Sequence, residues 1–130
     1  MLEILYPRRC AVCDEIEVTG KGICPLCKDK VHVAGEPACK KCGKPLVDER
    51  KEFCTDCGKK HHVYTQGKAV FVYEGGIRNS MYRFKYGNKR EYAEFYANAA
   101  VEKYGVWLNK IKAEVLIPCL LYTSDAADEL

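Results

Sequence analysis

The sequence predicts a small, metal-stabilised region of β-hairpins followed by an incomplete α/β segment of β-α-α-β order. Three observations predict it. Eight of the nine cysteines fall in four Cys-x-x-Cys pairs. Two short apolar runs, at 69–73 and 114–117, are bounded by glycine or proline. Between those runs, apolar residues recur at helical spacing.

The cysteine pairs are Cys10/Cys13, Cys24/Cys27, Cys39/Cys42 and Cys54/Cys57. Two cysteines three apart in a tight turn aim both sulfurs at a point about 2.3 Å away, the zinc–thiolate distance. Two such knuckles close one tetrahedral site, so four imply two zinc ions. Ten residues separate Cys13 from Cys24 and eleven separate Cys42 from Cys54. Either length suits a short hairpin that brings two knuckles face to face. The spacing therefore favours pairing in chain order, with Cys10, Cys13, Cys24 and Cys27 on one ion and Cys39, Cys42, Cys54 and Cys57 on the other. A cross-braced arrangement, first pair with third, is the rival. All four ligands of each site are thiolates, so no position remains for a reactive water, and both zinc ions are structural. They replace a hydrophobic core that so short a segment could not build.

Disulfides are the first alternative. The opening Met1-Leu-Glu-Ile-Leu-Tyr-Pro-Arg-Arg9 lacks the long apolar run of a secretion signal, and repeated Cys-x-x-Cys without one reads as metal-binding. Iron is the second, because Cys39-Lys-Lys-Cys42-Gly and Cys54-Thr-Asp-Cys57-Gly look like rubredoxin knuckles. The loop between them is short for that family, although tetrahedral thiolate alone does not separate the two metals. The expected compartment is the cytoplasm, and the sequence has no membrane-spanning run.

Residues 1–60 form the zinc region, 61–118 the α/β segment, and 119–130 a tail of different composition. Ala69-Val-Phe-Val-Tyr73 reads as a buried strand ended by Glu74-Gly-Gly76. Ile77, Met81 and Phe84 mark a first helix that stops at Gly87-Asn88. Tyr92, Phe95, Tyr96, Ala99, Ala100 and Tyr104 mark a second, expected to end at Gly105 with Val106-Trp-Leu108 as its cap. Glu114-Val-Leu-Ile117 is the second strand, and Pro118 ends it. Two strands and two helices leave a sheet face and an edge bare.

The formal charge of the chain is +3. A zinc held by four thiolates carries a net −2, so metallation of two sites brings the chain close to neutrality. The basic residues around the knuckles are read first as offsetting that charge. Residues 77–92 are locally basic, with Arg78, Arg83, Lys85, Lys89 and Arg90 against Glu91. Interleaved with Tyr82 and Tyr86, such a stretch can bind phosphate or stack bases; a solvated helix face accounts for it equally well. His32, His61 and His62 are read as surface residues, and Glu91, Glu94 and Glu102 as a solvated helix face.

Leu5-Tyr6-Pro7 before the first knuckle, Cys39-Lys-Lys-Cys42-Gly-Lys-Pro45, and Tyr82-Arg-Phe-Lys-Tyr-Gly-Asn-Lys-Arg-Glu-Tyr-Ala93 together resemble the ComF/GntX family over roughly residues 4–118. These are competence-associated proteins with a double zinc ribbon and a type I phosphoribosyltransferase-like domain. The resemblance implies that 61–118 is the start of such a domain. It implies a role in DNA uptake, with single-stranded DNA and competence-machinery proteins as partners, and phosphoribosyl pyrophosphate as a ligand of the full-length parent only. The eight zinc cysteines carry over directly, and Arg83, Lys85 and Tyr86 match the family's basic-aromatic motif, as binders of phosphate or nucleic acid. Family members continue past the Val-Leu-Ile-Pro strand into a basic loop, an acidic pair and a Thr/Gly-rich phosphate loop. This chain instead reads Cys119-Leu-Leu-Tyr-Thr-Ser-Asp-Ala-Ala-Asp-Glu-Leu130. The expectation is a C-terminally truncated fragment with a non-native tail at 119–130 and no transferase activity of its own. The alternative is a stand-alone zinc-ribbon module that binds single-stranded nucleic acid or a protein.

Overall fold

A computed structural model of the chain describes residues 2–118. The tail at 119–130, with Cys119, lies outside the described residues. Among the described residues there are five helices: α1 (Leu2–Leu5), α2 (Pro25–Lys28), α3 (Thr55–Lys59), α4 (Gly75–Tyr86) and α5 (Tyr92–Ile111). Among the described residues, β pairing is confined to three isolated antiparallel bridges, Arg9↔Ile16, Val33↔Phe71 and Ala38↔Pro45. No helix among them is long and apolar enough to cross a membrane.

Two of the bridges close around the first knuckle of each half, and the hydrogen bonds repeat. Cys10 N–H donates to Glu15 O (2.8 Å), and its own carbonyl accepts from Asp14 N–H (2.9 Å). Cys39 N–H donates to Lys44 O and its carbonyl accepts from Gly43 N–H, both at 2.8 Å. The second knuckle of each half sits on a helical turn. Cys24 and Cys54 are the extended N-caps of α2 and α3. The expected hairpin between knuckles is therefore corrected. The β bridge lies across the first knuckle, and the connection in the first half is a looped turn. That turn contains left-handed Gly20 and Gly22, and its N–H groups bond the buried Glu17 carboxylate rather than a neighbouring strand.

The hydrophobic core joins the first half of the zinc region to the two long helices. Ala11, Ile77, Tyr92 and Phe95 are buried together, with Ile23, Val31, Phe71, Phe84 and Tyr96 packed around them. Cys10, Val12 and Cys27 form an adjoining cluster that shares Ile23 and Val31. Phe71 and Phe95 stack at 5.5 Å. The start of α4 lies so close to the first knuckle that a Cβ at Gly76 would stand 2.7 Å from Val12 Cγ1.

The β-α-α-β expectation is met in its helices and corrected in its strands. Val70 and Val72 each exchange one bond with 32–34, Ala34 N–H to Val70 O (2.9 Å) and Val72 N–H to His32 O (2.8 Å). That neighbour is too short to extend the pairing. Val115, Leu116 and Ile117 are exposed and pair with no strand among the described residues. An apolar run becomes a strand only where a second edge accepts its N–H groups.

The helix end expected at Gly105 is also corrected. α5 runs through it to Ile111 and stops at Lys112, which is left-handed at φ 46°. One interior glycine costs a helix about 1 kcal/mol, too little to end one that is anchored by packing on its N-terminal side. Val106, Trp107 and Leu108 are thus helical, and Trp107 packs edge-on against Tyr104 at 6.3 Å.

Candidate metal centre

The eight sulfurs gather in chain order into two tetrads, Cys10/Cys13/Cys24/Cys27 and Cys39/Cys42/Cys54/Cys57, each with all Sγ atoms within 4.8 Å of one another. Cys13 and Cys24 Sγ are 3.7 Å apart, and so are Cys42 and Cys54 Sγ. A disulfide would need about 2.05 Å. Four sulfurs placed about 2.3 Å from a central zinc stand about 3.8 Å from each other. The 3.7 Å pair in each tetrad has the spacing of a metal tetrathiolate, and the two tetrads could bind two zinc ions. Each site is closed by its four cysteines, so the metal would fix chain segments together and leave no place for a substrate.

The local electrostatics call for a dication. Cys10 is buried, which opposes its thiolate. Backbone N–H groups of Cys24, Cys13 and Val12 outweigh that and lower its pKa to about 7. Two of these contacts are direct, from Val12 N–H at 3.4 Å and Cys24 N–H at 3.3 Å. Cys39 behaves in the same way: N–H groups of Cys42, Cys54 and Lys41 overcome burial and bring it to about 6. The last cysteine of each tetrad goes the other way. Desolvation, then the neighbouring sulfurs, push Cys27 and Cys57 up to about 12. Each tetrad thus stabilises a first negative charge and resists the fourth. A bound divalent ion reverses that resistance, because it is itself the largest charge in the site.

Asp14 is the functional residue that sequence reasoning missed. It stands four residues after Cys10, where the second half has Gly43, and both are left-handed, at φ 65° and 77°. Aspartate tolerates this conformation better than most residues. Its carboxylate then reaches the helical half of the molecule. Tyr92 Oη donates to Oδ1 at 2.5 Å, and Lys89 Nζ lies 2.8 Å from Oδ2. Burial opposes the Asp14 charge, but the bonds from Lys89 and Tyr92 hold its pKa below the ordinary value. Burial and the bond to Asp14 keep Tyr92 protonated, its pKa raised. The available signal is the alignment of the two first Cys-x-x-Cys knuckles, in which one carries glycine directly after its second cysteine (Gly43) and the other carries Asp14.

Arg83, Lys85 and Tyr86 do not share one environment. The Arg83 guanidinium donates to Val12 O and sits 6.0 Å from the Tyr92 ring centre, so it clamps α4 onto the first knuckle. Lys85 and Tyr86 are exposed. Together with Arg78 and Tyr82 they follow i, i+4, i+7, i+8 spacing and form one stripe along the outer face of α4. The Tyr82 and Tyr86 rings are 5.1 Å apart and tilted by 52°. His32 lies on the surface with Nδ1 2.7 Å from Glu74 Oε1, and His62 stacks on Tyr64.

The model of the Double zinc ribbon domain family matches residues 1–58. No curated protein and no solved structure matches the chain. Residues 1–58 are accordingly a zinc ribbon domain with two potential metal sites.

Proposed function

We propose that the chain is a zinc-stapled binding module whose ligand is single-stranded nucleic acid. The observation that carries this is the exposed stripe of Arg78, Tyr82, Lys85 and Tyr86 on α4. Two tyrosine rings left in solvent beside two cations offer stacking faces for bases and charge for the phosphates. The two tetrads have no open coordination position, so their contribution is rigidity. The first ribbon, clamped by Arg83 and Asp14, holds α4 so that the stripe is presented on a fixed helix.

The resemblance to ComF/GntX proteins supports a more specific setting, the handling of incoming single-stranded DNA during competence, with other competence proteins as partners. The basic-aromatic motif at 82–93 is the part of that resemblance that coincides with the stripe. Residues 61–118 would then belong to a phosphoribosyltransferase-like domain, a reading that rests on the motif and on the exposed apolar run Val115–Ile117 rather than on any sheet.

The test is anisotropy of a labelled oligothymidylate with the zinc-loaded chain across a salt series. Binding should weaken as salt rises, and Tyr86→Ala should cost roughly tenfold in affinity. Lys85→Ala should reduce the slope of log affinity against log salt by about 0.7. Affinity that ignores salt and both substitutions would reject the proposal.

A further inference from the structure

A second cationic feature lies away from the α4 stripe. Between the first ribbon and the start of α5 there is an open cavity of about 350 Å³, onto which Arg8, Arg9, Lys21 and Arg90 converge, with Glu91 and Glu94 as the acidic members of its wall. These four cations come from three separate parts of the chain. Bringing like charges together raises the energy of the fold unless something offsets it, and the wall retains a net +2.

The cations are mounted on fixed backbone. Glu17 secures two of the three segments. Its N–H donates to Arg8 O at 2.8 Å. Its carboxylate accepts from Thr19 N–H (2.5 Å), from Thr19 Oγ1, and from Gly22 N–H (3.1 Å), which shapes the loop that carries Lys21. That loop is seated on α5, where a Cβ at Gly22 would stand 2.9 Å from Phe95 Cβ. Arg8 and Arg9 are oriented in turn. Arg8 Nη1 lies 3.2 Å from Glu94 Oε1, and Arg9 Nη1 donates to Asp14 O at 2.8 Å. Each guanidinium spends one of its five N–H donors this way and keeps the others. Lys21 and Arg90 are exposed, and their side chains make no ion pair or hydrogen bond among the described residues. Because Glu17 occupies the loop N–H groups, recognition in this cleft falls to the side chains.

We infer that this cleft binds a terminal phosphomonoester, the dianion that a net +2 wall of guanidinium and ammonium groups complements. The inference rests on the nucleic-acid reading only for the identity of the ligand's carrier. A free nucleotide and the 5′-phosphorylated end of a single strand present the same group. The cleft and the α4 stripe flank the turn 87–91, so a strand could place its end in one and its bases on the other.

The experiment uses the full chain loaded with zinc at low salt. Three probes are titrated: 5′-phosphorylated octathymidylate, the same oligomer with a 5′-hydroxyl, and thymidine 5′-monophosphate. The 5′-phosphate should tighten oligomer binding by roughly tenfold, the increment of charge-assisted hydrogen bonds. Lys21→Ala and Arg90→Ala should each remove most of that gain and weaken the 5′-hydroxyl oligomer much less. Tyr86→Ala should weaken both oligomers equally. Monophosphate binding that depends on Lys21 and Arg90 would assign the cleft to nucleotides as well as strand ends, and its absence would assign it to strand ends. If both oligomers bind alike, the cleft proposal is overturned while the nucleic-acid reading stands. If only the monophosphate binds, through Lys21 and Arg90, the cleft stands and the nucleic-acid reading fails. If none of the three binds, both fail.

Discussion

The two ribbons are built on one plan and used differently. Both have a bridged first knuckle, a helical second knuckle, and a 3.7 Å sulfur pair between them. The first contributes Ala11 to the main hydrophobic cluster and Cys10, Val12 and Cys27 to the one beside it, and it receives Arg83, Lys89 and Tyr92 from the helical half. The second contributes nothing to either cluster. It is tied through backbone, with Gly67 N–H donating to Lys41 O (2.6 Å), and through the tight passage of Gly43 beside Ala69. The difference is concentrated at one repeat position, Asp14 against Gly43. A left-handed residue is required there in both ribbons. A side chain can follow in the first because the space leads to Tyr92, whereas in the second a Cβ would stand 2.8 Å from Ala69 N. The lesson is that one metal-binding plan can serve as the keystone of a core or as a separate stapled unit.

The largest effect should come from breaking one site at a time. Cys27→Ser and Cys57→Ser should each lower the zinc content from two ions to one. Cys27→Ser removes a buried core residue together with the metal, so amide signals of α4 and α5 should lose their dispersion along with those of residues 8–30. Cys57→Ser should disturb residues 38–60 and leave α4 and α5 folded. A structural zinc in a short peptide contributes about 10–16 kcal/mol, far more than any side-chain contact described here. Equal damage from both substitutions would show that the second ribbon is also part of the core. Chelation of both ions should unfold residues 1–60 in either case.

A smaller effect is expected at the repeat position itself. Asp14→Ala deletes the acceptor of the buried Tyr92 hydroxyl and the partner of Lys89, and it leaves a non-glycine residue without the aspartate's tolerance of positive φ. The expected loss is about 2–3 kcal/mol in denaturant unfolding followed through the helices. Gly43→Ala should also destabilise, by about 1–3 kcal/mol, from its strained φ and the contact with Ala69. Its effect should register in zinc retention by the second tetrad and not in the helical signal. A helical transition that moves equally in both variants would contradict the division of labour between the ribbons.

The metal tetrads were legible in the sequence because Cys-x-x-Cys spacing is a local property. The two helices were legible for the same reason, since the Ile77–Phe84 and Tyr92–Tyr104 patterns lie within single elements. The strands at 69–73 and 114–117 were not, because strand formation depends on a neighbour that composition does not reveal. Phe71 shows the point: it is apolar because it packs on Phe95, with a single bridge to Val33. Gly105 misled because a glycine signals a helix end only where the packing also stops. The sequence groups Arg83 with Lys85 and Tyr86 in one motif, but helical geometry turns it inward onto Val12 while the other two face solvent. Asp14 and Glu17 required knowledge of which loop residues point back into the fold.

Glu17 offers the finest test of the comparison, because the second ribbon has a counterpart in the same connection. Glu17 is 4% exposed, and three hydrogen bonds reach its carboxylate from Thr19 and Gly22. Asp48 is exposed, and its side chain accepts from Arg50 N–H at 3.0 Å. Burial works against the Glu17 charge, but the Thr19 hydroxyl and the N–H groups of Thr19, Gly22 and Gly20 outweigh it and hold the pKa below its ordinary 4.5. A carboxylate with a depressed folded-state pKa adds stability that is fully present above the unfolded value and disappears as pH falls through the folded one. Glu17→Gln should therefore cost about 1–2 kcal/mol at neutral pH, since one charged acceptor becomes neutral and an amide N–H₂ meets the N–H groups of the loop. The gap between wild type and variant in urea unfolding should stay constant from neutral pH down to the ordinary carboxyl range, then narrow below it. Asp48→Asn should change stability by less than about 0.5 kcal/mol at any of these pH values, as exposed surface substitutions do. A Glu17 effect as small as that of Asp48 would mean that the loop holds its shape without the carboxylate, and the first ribbon would then owe its rigidity to zinc and the helices alone.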